Sequence, residues 1–258
     1  MPNNKKLVIG NWKMNPETAK EAEKIFGAVV KGLPTLKNIE VVICAPYVYL
    51  ANLAKIKTTK IKLGAQDSSQ AGDIGAFTGE VSPTMLYDMT VRYVILGHSE
   101  RRALGEKDEG INKKLKSALS AGLIPILCVG ETERSEDHAY FNIVKNQLEA
   151  CLDGVQKNFI SKMIVAYEPV WALSSTPGRH DSTAEDSKEM AIFIRKVLTD
   201  KFGVKIDMPR IIYGGSANEK NAQEFLEYGG VDGLLPGKAS LNPKLFVEMI
   251  KICEALKN

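Results

Sequence analysis

Eight short apolar runs recur along the chain, and each is followed by a longer segment with helical periodicity. The runs are rich in Val, Ile and Leu and scarcely alternate with polar residues, which is typical of strands buried on both faces of a parallel sheet. They are Lys6–Gly10, Glu40–Ala45, Ile61–Ala65, Arg92–Leu96, Ile124–Val129, Lys162–Tyr167, Arg210–Tyr213 and Val231–Leu235. Because parallel strands need crossover connections, the pattern predicts a repeated βα unit.

The segments between the runs carry signals for helix starts and ends. Asn15–Pro16 predicts an N-cap followed by a proline in the first turn, and Gly32 predicts the end of that helix. Ser182 and Glu185 have the spacing of a capping box. Asn242–Pro243 repeats the combination of cap and proline before the last helix.

Eight βα units in 258 residues predict an α/β fold with one closed (β/α)8 barrel of eight parallel strands. We expect residues 1–258 to form a single domain. The alternative is a doubly wound sheet, which usually has a Gly-rich turn after its first strand. Gly10–Lys13 reads Gly-Asn-Trp-Lys and does not match that fingerprint.

Composition excludes several classes of protein. Hydrophobic residues make up 44% and charged residues 25% of the chain, which is ordinary for a globular protein and unlike a disordered one. The formal charge is +3 without a basic run, which argues against a nucleic-acid partner. No secretion signal is evident, and no apolar run reaches the roughly 18 residues that span a bilayer. We therefore expect a cytoplasmic protein without a membrane partner.

The four cysteines are Cys44, Cys128, Cys151 and Cys253, and they have neither Cys-x-x-Cys spacing nor nearby His pairs. This spacing predicts free thiols in a reducing compartment, without a zinc site or disulfide scaffold. Cys128 lies at the end of a predicted strand, where we interpret it as a small buried packing residue rather than a reactive thiol.

Polar groups follow the ends of several predicted strands, which converge on one mouth if the fold is a barrel. They include Lys13, His98 and Glu168, together with the glycine-bearing turns Gly214–Ser216 and Gly237–Lys238. A base, an electrophile and an anion cradle suit proton transfer next to the carbonyl of a phosphorylated substrate. Taken singly, each side chain also has a structural interpretation, as an ion-pair partner, a hydrogen-bonded histidine or a solvated lysine.

Eight short motifs occur in order along these predicted elements. They are Gly10–Asn15 (GNWKMN), Gly64–Gln66 (GAQ), Gly75–Glu80 (GAFTGE), Gly97–Arg102 (GHSERR), Cys128–Thr132 (CVGET), Ala166–Ala172 (AYEPVWA), Tyr213–Ser216 (YGGS) and Ala239–Leu241 (ASL). Through them the whole chain resembles the triosephosphate isomerase family. The resemblance implies a TIM barrel and the interconversion of glyceraldehyde 3-phosphate and dihydroxyacetone phosphate, in glycolysis and gluconeogenesis, with no cofactor or metal.

The resemblance also implies roles for the matching polar residues. Glu168 would move a proton between adjacent carbons of the substrate, and His98 would polarise the carbonyl and protonate the enediolate oxygen. Lys13 would supply a fixed positive charge and Asn11 an amide donor, and both would contact the substrate. His98 precedes Ser99 in what we interpret as the first turn of a helix, whose dipole favours the neutral imidazole.

Two residues after His98 are expected to support this arrangement. Ser99 would either hold the resting Glu168 or cap the helix. Glu100 would steady Lys13 and form an ion pair with Arg101.

The phosphate is expected to be held by backbone N–H groups, with Ser216 and Gly237 matching the donors of the family. This chain has Lys238 where the family usually has glycine. Its N–H can still donate, while its ammonium either attracts phosphate or points to solvent, and we favour solvent. Tyr213 and Ser216 also match residues that hold a closed lid.

The lid is the largest departure from the family pattern. Leu173–Asp181 replaces a glycine-rich tip and is longer by about three residues, a change that loops tolerate. A closed lid excludes water and gives a backbone amide to the phosphate, and here Ser174, Ser175 or Gly178 would supply it. An altered lid leaves two alternatives open, namely a barrel that only binds triose phosphates and an enzyme that leaks methylglyoxal.

Gly75–Glu80 resembles the loop that enters a neighbouring subunit in this family. Thr78 would then help to order Asn11 and His98 across the interface of a two-fold homodimer. The alternative is an ordinary barrel loop. A smaller departure is Asp67, where the family has Asn.

Overall fold

The computed structural model describes residues 5–72, 74–135, 138–173, 176–178 and 180–256. Its strands are β1 (Lys6–Asn11), β2 (Ile39–Cys44), β3 (Ile61–Ala65), β4 (Tyr93–Leu96), β5 (Ile124–Val129), β6 (Ile164–Tyr167), β7 (Arg210–Tyr213) and β8 (Gly233–Leu234). Within the described residues they pair in parallel in the order β1 to β8 and close on themselves. The predicted eight-stranded barrel is therefore confirmed, and a doubly wound sheet is excluded.

Helices connect the strands on the outside of the barrel. They are α1 (Ala19–Gly32), α2 (Tyr47–Ala54), α3 (Pro83–Asp88), α4 (Ser99–Ala103), α5 (Asp108–Ser120), α6 (Tyr140–Cys151), α7 (Ala184–Phe202), α8 (Ala222–Tyr228) and α9 (Pro243–Ala255). Short 3₁₀ turns occupy Lys157–Lys162, Val170–Ala172 and Lys238–Leu241.

Strand residues alternate between two buried layers. In β1, Leu7 and Ile9 belong to the cluster that fills the barrel, whereas Val8 packs against the surrounding helices. Both faces of the sheet are thus buried, which explains why the strands read as unbroken apolar runs. Since side chains fill the interior, a site for substrate can lie only at the ends of the strands.

Two predicted helix starts are wrong. Helix α1 begins at Ala19 with Thr18 as its N-cap, and the Asn15 amide instead donates to the Trp12 carbonyl at 3.2 Å. The capping box before α7 is formed by Thr183 and Asp186, one residue later than predicted.

Other helix signals and boundaries agree with the sequence. Helix α1 ends at Gly32, and Asn242 caps α9 with Pro243 in the first turn. Strand β8 is shorter than the predicted Val231–Leu235. The Asp232 side chain in that segment accepts the Ile211 N–H at 2.8 Å.

Candidate active site

Glu168 directly follows β6 and is 2% exposed, at the end of the barrel where the loops after the strands meet. Glycines on both neighbouring strand ends make room for it. A Cβ on Gly130 would lie 1.8 Å from the Glu168 carbonyl oxygen, and one on Gly214 would lie 2.8 Å from Glu168 Cγ. Only glycine lets the chain pass this close to the carboxylate residue.

The Glu168 carboxylate lies between the helix start at Ser99 and the imidazole of His98. Its Oε2 accepts the Ser99 N–H at 3.0 Å, and its Oε1 lies 3.1 Å from His98 Nε2. Both side chains are buried, with His98 7% exposed. A buried carboxylate beside an imidazole is a suitable pair for moving protons to and from carbon and oxygen atoms.

His98 is itself the N-cap of α4, so Ser99 does not serve as the cap. Its Nδ1 accepts the N–H of Glu100 at 3.2 Å. A nitrogen that accepts a hydrogen bond carries no proton, so this contact assigns the proton to Nε2 and the ring to its neutral form.

Lys13 adopts the left-handed backbone conformation with a φ of 52°, which is uncommon for a residue with a side chain. Its N–H donates to Asn11 Oδ1 at 3.0 Å, and its carbonyl accepts from the Gln66 amide at 2.9 Å. Its Nζ lies 2.6 Å from Glu100 Oε1, as expected from the sequence. The sequence reasoning gave Gln66 no role, although a polar residue directly after β3 was a visible signal.

Arg101 does not pair with Glu100, and that prediction is wrong. Arg101 Nη2 lies 3.1 Å from Asp67 Oδ2, and Lys114 Nζ lies 2.7 Å from Asp67 Oδ1. Lys114 also contacts Glu106. Burial raises the pKa of Asp67 although Lys114 acts in the opposite direction. Glu100 thus pairs with Lys13, whereas Arg101 pairs with Asp67 in the loop after β3.

Cys128 is fully buried inside the barrel next to Glu168. Burial raises the pKa of its thiol well above the usual range, and the adjacent Glu168 carboxylate raises it further. A thiol with a raised pKa is a poor nucleophile. These properties agree with a packing residue.

Gly237 lies beside Lys13, because a Cβ on this glycine would be 3.5 Å from Lys13 Cε. Lys238 follows it as the first, exposed residue of a 3₁₀ turn. The structure therefore brings Gly237 to the same mouth as Glu168 and His98.

Comparison with known proteins decides the family. A sequence model described as triosephosphate isomerase matches residues 6–253. A curated triosephosphate isomerase from Dictyoglomus thermophilum is 41% identical over 251 residues, which cover 96% of this chain and 99% of that protein. The chain belongs to the triosephosphate isomerase family. The resemblance drawn from the eight motifs is thereby confirmed.

In this member of the triosephosphate isomerase family, the described residues on either side of the lid are held by β7 and its loop. Ser216 Oγ donates to the Ala172 carbonyl at 2.8 Å, and Tyr213 hydrogen-bonds the side chain of Ser182. Burial raises the pKa of Tyr213 to about 12, so its hydroxyl group stays neutral. The predicted lid donors Ser174 and Ser175 lie outside the described residues.

A buried carboxylate holds the start of the lid, and the sequence reasoning missed it. Glu131 Oε1 accepts from the Tyr167 hydroxyl and from Trp171 Nε1, both at 2.8 Å. The side chain of Arg134 lies 3.5 Å from the same oxygen. Burial raises the pKa of Glu131 despite these partners. Its position two residues after β5, within the Cys128–Thr132 motif, was the available signal.

The loop carrying Thr78 is exposed along residues 74–80. Within the described protomer, Thr78 forms no hydrogen bond with Asn11 or His98. Among all the residues that the structure describes, no group of three or more His, Cys, Asp or Glu residues is arranged to hold a metal ion. Among its helices, none has the length and apolar character needed to cross a membrane.

Proposed function

We propose that this chain interconverts glyceraldehyde 3-phosphate and dihydroxyacetone phosphate by proton transfer through an enediolate. The observation that carries the proposal is the 3.1 Å separation between Glu168 Oε1 and His98 Nε2, in a chain of the triosephosphate isomerase family. A carboxylate beside a neutral imidazole can exchange protons with carbon and with oxygen in one site.

Glu168 is the base of the proposed reaction. It removes a proton from C1 of dihydroxyacetone phosphate, and the electron pair of the C–H bond forms the C1–C2 double bond while the carbonyl oxygen becomes negative. The same carboxyl group returns the proton to C2. Substrate and product are isomers, so the atoms balance without an oxidant or reductant.

His98 handles the oxygen atoms. Its Nε2–H polarises the carbonyl, protonates the oxygen on C2 and regains a proton from the oxygen on C1. The hydrogen bond from the Glu100 N–H to Nδ1, at 3.2 Å, supports this assignment because it leaves the donor on Nε2. A neutral donor stabilises an oxyanion as it forms.

Lys13 and Asn11 bind the substrate and stabilise its developing negative charge. The bond from the backbone N–H of Lys13 to Asn11 Oδ1, at 3.0 Å, supports a joint role because it fixes the Asn11 side chain next to the Lys13 backbone. The N–H groups of Ser216, Gly237 and Lys238 hold the phosphate, and the ammonium of Lys238 points to solvent. Ser174, Ser175 or Gly178 supplies the amide of the closed lid.

The active form is a homodimer, and it is located in the cytoplasm. Large apolar side chains are exposed after three consecutive strands of the barrel, with Met14 at 94%, Val48 at 75% and Ile74 at 81%. Such a patch is typical of a protein interface, and the Gly75–Glu80 loop would insert there. The four cysteines are free and buried, which agrees with a reducing compartment.

A steady-state assay on glyceraldehyde 3-phosphate tests the function if dihydroxyacetone phosphate and methylglyoxal are both counted. We expect fast isomerisation, approaching the diffusional ceiling of about 10⁸ M⁻¹s⁻¹ in kcat/KM, with little methylglyoxal. Slow turnover with much methylglyoxal would favour the leaking enzyme. A folded protein that forms neither product would overturn the proposal in favour of a binding protein.

A further inference from the structure

We infer that Gln147 positions Glu168 by hydrogen-bonding the backbone of Gly130, the residue that follows β5. This inference rests on the proposed function. Gln147 lies on α6, outside the barrel and outside the motifs that carry the family resemblance. Within the described residues its side chain forms no hydrogen bond with Glu168 or His98 and bonds to Gly130 instead. Its effect on the base passes through the backbone of Gly130.

The hydrogen bonds after β5 show which way Gly130 faces. Val129, the last residue of β5, and Glu131 bond to the segment that follows β6. Their carbonyls accept the N–H groups of Glu168 at 2.8 Å and Val170 at 2.9 Å. Alternate residues of a parallel strand bond to opposite neighbours. The N–H and carbonyl of Gly130 must therefore point toward the β4 side.

Strand β4 cannot satisfy these two groups. Its last paired residue is Leu96, opposite Leu127, and the chain then turns through Gly97 into α4. A partly buried backbone N–H and carbonyl left without partners would cost free energy. Something other than the sheet has to bind the Gly130 peptide groups.

The side-chain amide of Gln147 binds both the N–H and the carbonyl of Gly130. Its Oε1 accepts the Gly130 N–H at 2.8 Å, and its Nε2 donates to the Gly130 carbonyl at 3.0 Å. Two bonds from one planar amide fix both the position and the orientation of the segment they hold. Helix α6 is anchored on either side of this residue by the buried side chains of Val144 and Leu148.

Gly130 transmits this restraint to the base. Its Cα lies so close to the Glu168 carbonyl that a Cβ on this residue would be 1.8 Å from the carbonyl oxygen. A cavity of about 280 Å³ lies beside this contact and is lined by Gly130, Gln147 and Glu168. The backbone hydrogen bonds of Val129 and Glu131 hold this segment on the Glu168 side. The Gln147 amide holds Gly130 on the other side, so without it Gly130 could shift into the adjacent space.

The test compares Gln147→Met with wild type in steady-state kinetics. Methionine keeps the length of the side chain but neither hydrogen bond. We expect kcat to fall by about tenfold to a hundredfold, the scale of loss for a misplaced catalytic group. KM, and inhibition by inorganic phosphate, should stay near the wild-type values because the phosphate donors are not displaced.

A second variant, Gln147→Glu, gives a readout that a merely structural residue would not move. A protonated carboxyl group can accept from the Gly130 N–H and donate to its carbonyl, whereas a carboxylate cannot donate. The kcat of this variant relative to wild type should therefore rise as pH falls through the pKa of the new side chain. The same ratio for Gln147→Met should stay flat with pH.

Gln223→Met is the matched control, because Gln223 is an exposed glutamine on α8 that contacts only Glu227 in the described chain. It should leave both kcat and KM unchanged. A folded Gln147→Met variant with the wild-type kcat, or a Gln147→Glu ratio that does not change with pH, would overturn the inference. A wild-type protein without isomerase activity would instead overturn the proposed function, and the two failures are thus distinguishable.

Discussion

At the scale of single residues, the site depends on how closely neighbouring backbones approach Glu168. The carboxylate is buried, yet Oε2 is bonded to the Ser99 N–H and Oε1 lies 3.1 Å from His98 Nε2. The glycines at 130 and 214 permit this geometry. A glutamate and a histidine, Glu168 and His98, are suited to proton transfer here because the fold places them next to each other.

Glu168→Gln should separate binding from catalysis. The amide keeps the shape of the side chain but cannot act as a base, so kcat should fall by about 10²- to 10⁴-fold, the usual contribution of a general base. Steady-state kinetics and competition by inorganic phosphate would measure the two effects. The exposed Glu248→Gln on α9 is the control and should match wild type. A Glu168→Gln variant with full activity would remove this residue from the mechanism.

Asp67→Asn should change how stability depends on pH. Burial raises the pKa of Asp67 above its ordinary value of 3.8, so the native state holds this proton more tightly than the unfolded state does. Its contribution to stability is present below pH 3.8 and is lost as pH rises through the native pKa. The variant should therefore gain stability relative to wild type as pH rises, by about 1.4 kcal/mol for each unit of pKa elevation.

The measurement for Asp67→Asn is urea unfolding at several pH values between about 4 and 7, at one protein concentration. Asp200→Asn is the control, since Asp200 pairs with Lys196 on the exposed face of α7 and is 62% exposed. The difference for that control should stay flat. A flat or falling difference for Asp67→Asn would contradict the argument.

At the scale of elements, the sequence predicted every strand and the order of strands and helices. A strand buried on both faces is an unbroken apolar run, and this pattern can be recognised without knowing which residues are in contact. Helix starts were less predictable. Ser182 and Thr183 offer two capping registers one residue apart, and the structure adopts the second. The restraints on the site were missed because they join distant positions, as Gln147 and Gly130 do.

Thr183→Ala tests the observed capping register. The Thr183 hydroxyl accepts the Asp186 N–H at 3.1 Å, and its own N–H donates to the Asp186 carboxylate at 2.8 Å. Loss of the cap should lower the free energy of unfolding by about 1 kcal/mol, measured by urea titration. Thr59→Ala, at an exposed threonine before β3, should have little effect. Equal stabilities of the two variants would contradict the assigned cap.

At the scale of the whole molecule, closure of the barrel explains both its fold and the position of its site. Side chains fill the interior, and β1 pairs with β8, so the mouth gathers residues from strands far apart in sequence. The segments after β1, β2 and β3 leave three large apolar side chains exposed: Met14, Val48 in the first turn of α2, and Ile74. The position of this patch links the proposed assembly to the proposed chemistry, because a partner covering it would reach the site.

Ile74→Asp should therefore impair assembly and catalysis together. Ile74 is 81% exposed, and a charge there would oppose burial of the patch against a second copy. Wild type should have twice the monomer mass of 28.3 kDa by light scattering, and the variant should shift toward the monomer with a lower kcat. Val204→Asp is the matched control, since Val204 is 84% exposed before β7, at the opposite end of the barrel. A fully active wild-type monomer would refute the proposed dimer, and a monomeric variant with unchanged kcat would refute the contribution of Thr78 across the interface.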